Sequence, residues 1–400
     1  MKRSDRKFFC VLYLVVLSIT ICMPIYAKAG NQEAAQAYGK TAMNLFREVV
    51  KKSDVNENIL ISPDSIITAM TIVENGAAGK TLSEMKHAFG DVSVKKYNQY
   101  LSSVHQSLSS SKAITYKLAN AIWYNKDHIS VQKAFRRKVK ASFDAEISGT
   151  RFDAQAAEKI NRWVSRKTRK KIRKIIDRLE PSDRAVIVNA VYFKGAWMDP
   201  YAGTHRKKFT DAKGNATTVN MLEGTEDEYI TLKKGKGFVK YYSGGKTAFL
   251  GILPPKGMSV KEYVAGLSEK DLISAYRKRK TGNVIVRTRM PEFTCSYETS
   301  MKKSLQRMGI RRAFTNHADF SKMSNGDIHI DDVLHKTYIK LDKNGTEAAA
   351  VTAVVMKANS VRPQIEPKIY RVYLDRPFVY AIIDTESGAP LFMGVVNHVA

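Results

Sequence analysis

Eight histidines could carry acid–base or metal chemistry, but none sits at the HExxH spacing that puts two ligands on one helix face. No Gly-x-Ser-x-Gly elbow presents a nucleophile, and Cys295 has no metal-site partners at short spacing. Gly76 to Thr81 imitates the end of a phosphate-binding loop, yet the glycine that loop needs at position 74 is Glu74. Thr81 and Glu84 read instead as a capping box opening a helix. These residues predict neither an enzyme nor a metal site. The remaining chemistry is electrostatic. Arg162 to Arg178 holds nine basic residues, among them Arg169, Lys170, Lys171, Arg173 and Lys174. Ile160, Trp163, Val164, Ile172, Ile175, Ile176 and Leu179 fall at helix-like spacing on another side. Arg277, Lys278, Arg279 and Lys280 form a second cluster. Either cluster suits a polyanion such as a sulfated glycan, and either could simply be a solvated face.

The elements that position such residues belong to an ordinary globular chain. Its 400 residues are 44% hydrophobic and 26% charged, too apolar for disorder and without collagen or heptad periodicity. Lys and Arg outnumber Asp and Glu by 66 to 38, a net charge of +28. That surplus favours polyanionic partners, while no motif supports specific nucleic-acid recognition. Lys2, Arg3, Arg6 and Lys7, the apolar run Phe8 to Met23, Pro24 and Ala27-Lys28-Ala29 follow the three-part pattern of a secretory signal peptide. The expectation is therefore a leader over 1–29 and one domain over 30–400, secreted, or periplasmic or surface-held in a bacterium. Cleavage lowers the net charge by four and removes Cys10 and Cys22, leaving Cys295 and no internal disulfide.

Apolar periodicity predicts helices over 38–50 and 65–73, and a helix face of Met301, Leu305 and Met308 ending at Gly309. Strands are predicted over 185–193, 248–253, 283–289 and 333–341, and as a hairpin over 378–384 and 391–397. From Gly345 onward, Thr346, Ala348, Ala350, Thr352, Val354, Met356 and Ala358 form an uncharged face at period 2. Glu347, Ala349, Val351, Ala353, Val355 and Lys357 form the other. This segment suits a strand entering a packed sheet, and its alanines equally suit a helix.

The string GTEAAAVTAVVM resembles the hinge of inhibitory serpins. Further resemblances follow in the same order along the chain: NILISPDSI from Asn58, VNAVYFKGAW from Val188, MPEF from Met290, ADFS from Ala318, RPF from Arg376 and LFMG from Leu391. They cover Tyr38 to His398. The resemblance implies a mixed α+β single domain with three β-sheets, eight or nine helices and an exposed reactive-centre loop. It implies a monomer that is bait for a serine or cysteine protease, trapping the acyl-enzyme as the cleaved loop inserts into the large sheet. No cofactor is required; a sulfated glycan or other polyanion is an expected accelerator. Counted from Gly345, the scissile bond falls at Asn359–Ser360, with Lys357–Ala358 as runner-up. Ser62, Ser65, Asn189 and His335 match the polar cluster where the sheet opens. Trp197, Glu292 and Lys343 match its upper end, with the signs of a family ion pair reversed. A carrier or chaperone on the same fold, or a polyanion-binding protein, would share these features apart from the small, uncharged hinge face.

Overall fold

The computed structural model describes residues 32–347 and 366–399. The expected leader, hinge positions Ala348 to Thr352 and both candidate bonds lie outside them. Nine α-helices occur among the described residues: α1 (32–52), α2 (Pro63–Glu74), α3 (Gly79–Ala88), α4 (Val94–Ser109), α5 (Lys133–Phe143), α6 (Ala156–Lys167), α7 (Val260–Ala265), α8 (Asp271–Arg277) and α9 (Lys302–Arg307). α2 begins where its sequence dictates. Ser62 caps it by accepting the Ser65 N–H, and Pro63 fills the first turn, where no amide hydrogen is needed.

Three sheets hold the strands. One six-stranded sheet runs β1 (Ile59–Ile61), β16 (Pro390–Val396), β15 (Phe378–Asp384), β9 (Thr247–Leu253), β8 (Gly235–Tyr241), β7 (Tyr229–Leu232). A four-stranded sheet runs β14 (Lys368–Tyr373), β10 (Val284–Pro291), β6 (Ala216–Glu226), β5 (Thr204–Thr210). The central six-stranded sheet runs β11 (Phe293–Ser300), β12 (Asp332–Asp342), β13 (Gly345–Thr346), β4 (Ala185–Ala196), β2 (Ile114–Asn125), β3 (Glu146–Thr150). β15 and β16 are buried along their whole length, which is why they read as continuous apolar runs.

The central sheet separates two cores. The larger lies against the other six-stranded sheet and α1–α4. The smaller, on the opposite face, packs Val186, Val188 and Ala190 of β4 and Trp123 of β2 against Ile160, Trp163 and Val164 of α6. Trp123 and Trp163 meet edge to face at 6.2 Å.

Two local expectations are corrected. The helix-like spacing after Arg162 gives a helix only to Lys167; Arg169 and Lys170 adopt left-handed backbone, φ +51° and +64°, and the chain turns back along α6. Side chains then supply the hydrogen bonds a helix would have made. Thr168 Oγ1 accepts from Ile172 N, and Asn161 Oδ1 accepts from Ile175 N and Ile176 N. Ile172, Ile175 and Leu179 are still buried, so the spacing reported burial and not helix. The second correction concerns Thr81 and Glu84, which form no capping box: α3 starts earlier, with Ala78 at its cap. Thr81 accepts the Asp319 N–H, and the Glu84 carboxylate accepts those of Arg311 and Arg312, so both serve tertiary contacts.

Candidate functional site at the mouth of the central sheet

β4 and β12 are parallel neighbours, paired directly from Val186–Asp332 to Tyr192–Tyr338. Beyond that point they part, and Gly345–Thr346 sits between them as a two-residue strand antiparallel to both. The backbone approach demands glycine at the entry. Gly345 has φ +145°, and a Cβ there would lie 2.2 Å from Gly195 O. Thr346 is fully buried, and its hydroxyl lies 2.7 Å from that of Tyr242. Tyr242 in turn stacks on Trp197, ring centroids 4.5 Å apart, and Trp197 Nε1 donates to Asp342 O at 3.0 Å. These contacts hold the start of the hinge inside the sheet.

At Glu347 the chain turns out of the ladder. Its N–H still donates to Lys340 O at 2.9 Å, but its φ is +51°, a conformation that strains any residue with a Cβ. The carboxylate is 5% exposed, and its Oε1 lies 3.3 Å from the Lys171 ammonium, at ion-pair distance though without hydrogen-bond alignment. Lys171 also covers the Tyr338 ring at 5.5 Å, and Arg169 covers that of Tyr192 at 5.7 Å. Burial, then the Glu347 charge, pushes the Tyr192 phenol up to about 12. The basic segment thus touches both strands that flank the gap.

Deeper in the sheet, Asn120, Asn189 and His335 lie level across β2, β4 and β12. His335 Nδ1 donates to Asn189 Oδ1, and its Nε2 accepts the Ser62 N–H at 3.1 Å. Asn189 Nδ2 donates to Ser65 O at 2.6 Å, and Ser62 Oγ donates to Leu391 O at 2.8 Å. Ser62, Ser65, Asn189 and His335 have no exposed surface. Burial lowers the His335 imidazole to about 3, so the ring is neutral, as its accepting Nε2 requires. A strand passing between β4 and β12 must break the His335–Asn189 bond.

The sequence profile described as Serpin (serine protease inhibitor) matches residues 36–399, nearly all of the folded chain. The chain belongs to the serpin family. It is 29% identical to intracellular coagulation inhibitor 2 of Tachypleus tridentatus, over 98% of this chain and 99% of that one. The native structure of the thermophilic serpin tengpin superposes with a TM-score of 0.83 at 34% identity, covering 91% of this chain and 94% of tengpin. Native protease nexin-1, solved with heparin, gives 0.78 at 25% identity, over 92% and 100%. The serpin fold expected from the sequence, with three sheets in one mixed α+β domain, is the fold observed.

In this serpin the sign-reversed pair is not an ion pair. Glu292 Oε1 accepts the backbone N–H of Lys343 at 3.2 Å, and its Oε2 accepts from Asn220 Nδ2 at 3.2 Å. The Lys343 ammonium meets no carboxylate among the described residues. A carboxylate that bonds the main chain does not need a cation at that position, so the reversal of sign is tolerated.

The basic clusters differ in kind. Arg169, Lys170, Lys171, Arg173 and Lys174 are all exposed, with Lys174 paired to exposed Asp177 and Lys171 to Glu347. In the second cluster the Arg279 guanidinium is committed to Glu228 at 2.5 Å and the Tyr276 ring, and Lys280 bonds Tyr370 Oη at 3.2 Å. Arg277 reaches Ser387 O, which leaves Lys278 as its unengaged cation among the described residues. Cys295 is a free buried thiol, pushed up to about 12 by burial. Tyr242 and Asn120 are site residues the sequence reading missed. Asn120 carried a signal, a lone amide inside the apolar run of β2; Tyr242 carried none.

Proposed function

We propose that this serpin is a secreted suicide-substrate inhibitor of serine, and in part cysteine, endopeptidases. The attacking protease cleaves the reactive loop near Asn359–Ser360, and residues 346–358 then insert between β4 and β12 with the acylated protease attached. The observation that carries this reading is the seated Gly345–Thr346. Its register, extended, sets Ala348 opposite Ile339, Ala350 opposite Thr337, Thr352 between His335 and Asn189, and Val354 opposite Val333. Those partners on β12 are at most 1% exposed, so the small, uncharged face of the hinge would complete the larger core. Thr346 to Asn359 spans roughly 46 Å when extended, against a diameter of about 54 Å for a chain this long. A polyanion on the segment Arg169 to Lys174 serves as accelerator, a reading supported by the exposure of those cations and by the heparin-bound relative.

The test replaces Ala350 by Arg, at the position that the extended register sets opposite buried Thr337. The charge would have to enter a site with no water and no partner, at a cost of several kcal/mol. The parent should form a complex with a susceptible protease that survives boiling in detergent, and the variant should be cleaved as a plain substrate. Equal complex formation would refute insertion and favour a carrier. Amino-terminal sequencing of the peptide released from the complex should begin at Ser360; a start at Ala358 would assign the runner-up bond. Sequencing of the exported protein should begin at Gly30.

A further inference from the structure

The four-stranded sheet carries an uncompensated face where the chain returns from the loop. β14 is its edge strand and pairs in parallel with β10, setting Ile285 level with Ile369, Arg287 with Arg371 and Arg289 with Tyr373. Level residues share a face, and the alternate positions Val286, Thr288 and Val372 are buried behind them. Ile369 is 46% exposed, one of three large apolar side chains so exposed among the described residues. Arg289 is engaged: it bonds Glu223 at 2.6 Å and covers the Tyr373 ring at 4.6 Å. Arg287 and Arg371 are exposed, side by side, and reach no carboxylate among the described residues; the β6 residue level with Arg287 is Thr225. Like charges directly opposite destabilise a ladder, so this pair costs the fold stability.

We propose that this face is a secondary docking surface for the attacking protease, fitted to an enzyme whose surface beside the active-site cleft is acidic. The proposal rests on the inhibitory reading above. Ser360 precedes Lys368 by eight residues, so an enzyme holding the Asn359–Ser360 bond is tethered within roughly 26 Å of β14. The runner-up bond lengthens that reach to roughly 33 Å. A globular enzyme of about 220 residues is roughly 44 Å across. It must therefore lie over the end of the molecule where β14 begins. Exposed Ile369, with half-buried Ile285 level beside it, selects a protein surface over a sulfated polymer, which would contact the cations alone.

The test compares anionic and cationic trypsin, which share a preference for Lys and Arg and differ in surface charge. With Arg287→Glu and Arg371→Glu together, the association rate for anionic trypsin should fall about tenfold at low salt. Cationic trypsin should change less than twofold or gain, with the stoichiometry of inhibition unchanged for both. Ile369→Ser, which leaves the charges in place, should also slow the anionic enzyme. Equal effects on both trypsins, or none, would overturn the docking surface alone. A deficit seen only when heparin is present would overturn it too, assigning the arginines to a polymer. No covalent complex with the unaltered chain would overturn the inhibitory reading, and this surface's role with it.

Discussion

Glu347 is the residue at which this serpin is poised. Thr346 before it is already core, while Glu347 itself is strained and held by one cation from a segment far away in sequence. Nothing in the order of residues could announce the Lys171–Glu347 contact, because it depends on how α6 ends and where the chain turns back. Lys171→Ala leaves the Glu347 carboxylate largely buried without its counter-charge, destabilising the seated hinge by about 1–3 kcal/mol. Spontaneous loss of inhibitory activity on warming should accelerate severalfold, and Lys171→Arg should restore the parent rate; an unchanged half-life in the Ala variant would remove Lys171 from the mechanism. His335 gives a pH dependence of known sign. It is neutral in the fold down to about 3, whereas an exposed histidine takes up a proton below about 6.5. Between those values the unfolded chain binds more protons, so stability is full above about 6.5 and falls on acidification. His335→Asn should reduce the stability lost between pH 7 and pH 4.5 by roughly 2–3 kcal/mol in urea titrations at the two pH values. An identical loss in both proteins would show that His335 does not titrate as its burial implies.

At the scale of elements, the sequence was most legible where burial is complete and least where side chains replace backbone partners. The strands expected over 378–384 and 248–253 are found at Phe378–Asp384 and Thr247–Leu253, because an unbroken apolar run has few other uses. The segment after Lys167 misled because Ile172, Ile175 and Leu179 share helical spacing with a folded-back chain that Thr168 and Asn161 supply with hydrogen bonds. The order of strands was not legible at all, since alternation says which face is buried but not against which neighbour. This element also carries the charge prediction. Heparin affinity should fall steeply with salt as counterions are released, and neutralising Arg169, Lys170, Lys171, Arg173 and Lys174 together should flatten that slope by several units. A slope untouched by this change but flattened by altering Arg277 to Lys280 would move the site to the second cluster, where Arg279 is already committed to Glu228.

For the whole molecule the governing fact is a central sheet with a strand begun and not completed. β4 and β12 close on each other below the hinge, and the polar row through Asn120, Asn189 and His335 lies across the path of any further insertion. The smaller core beneath α6 lies on the other face of the same two strands, so a new strand must also be accommodated there. Cleavage of an ordinary folded chain frees ends and lowers stability. Here it should release residues 346–358 to pair with both neighbours and to bury their small face. A net gain of about 10 kcal/mol would shift the midpoint of a chain this long by roughly 13 °C. The direct measurement is the thermal midpoint of the purified protein before and after a single cut within Val355 to Val361. A rise on the order of 10 °C or more is the predicted result; a cleaved form that melts at or below the intact one would contradict insertion.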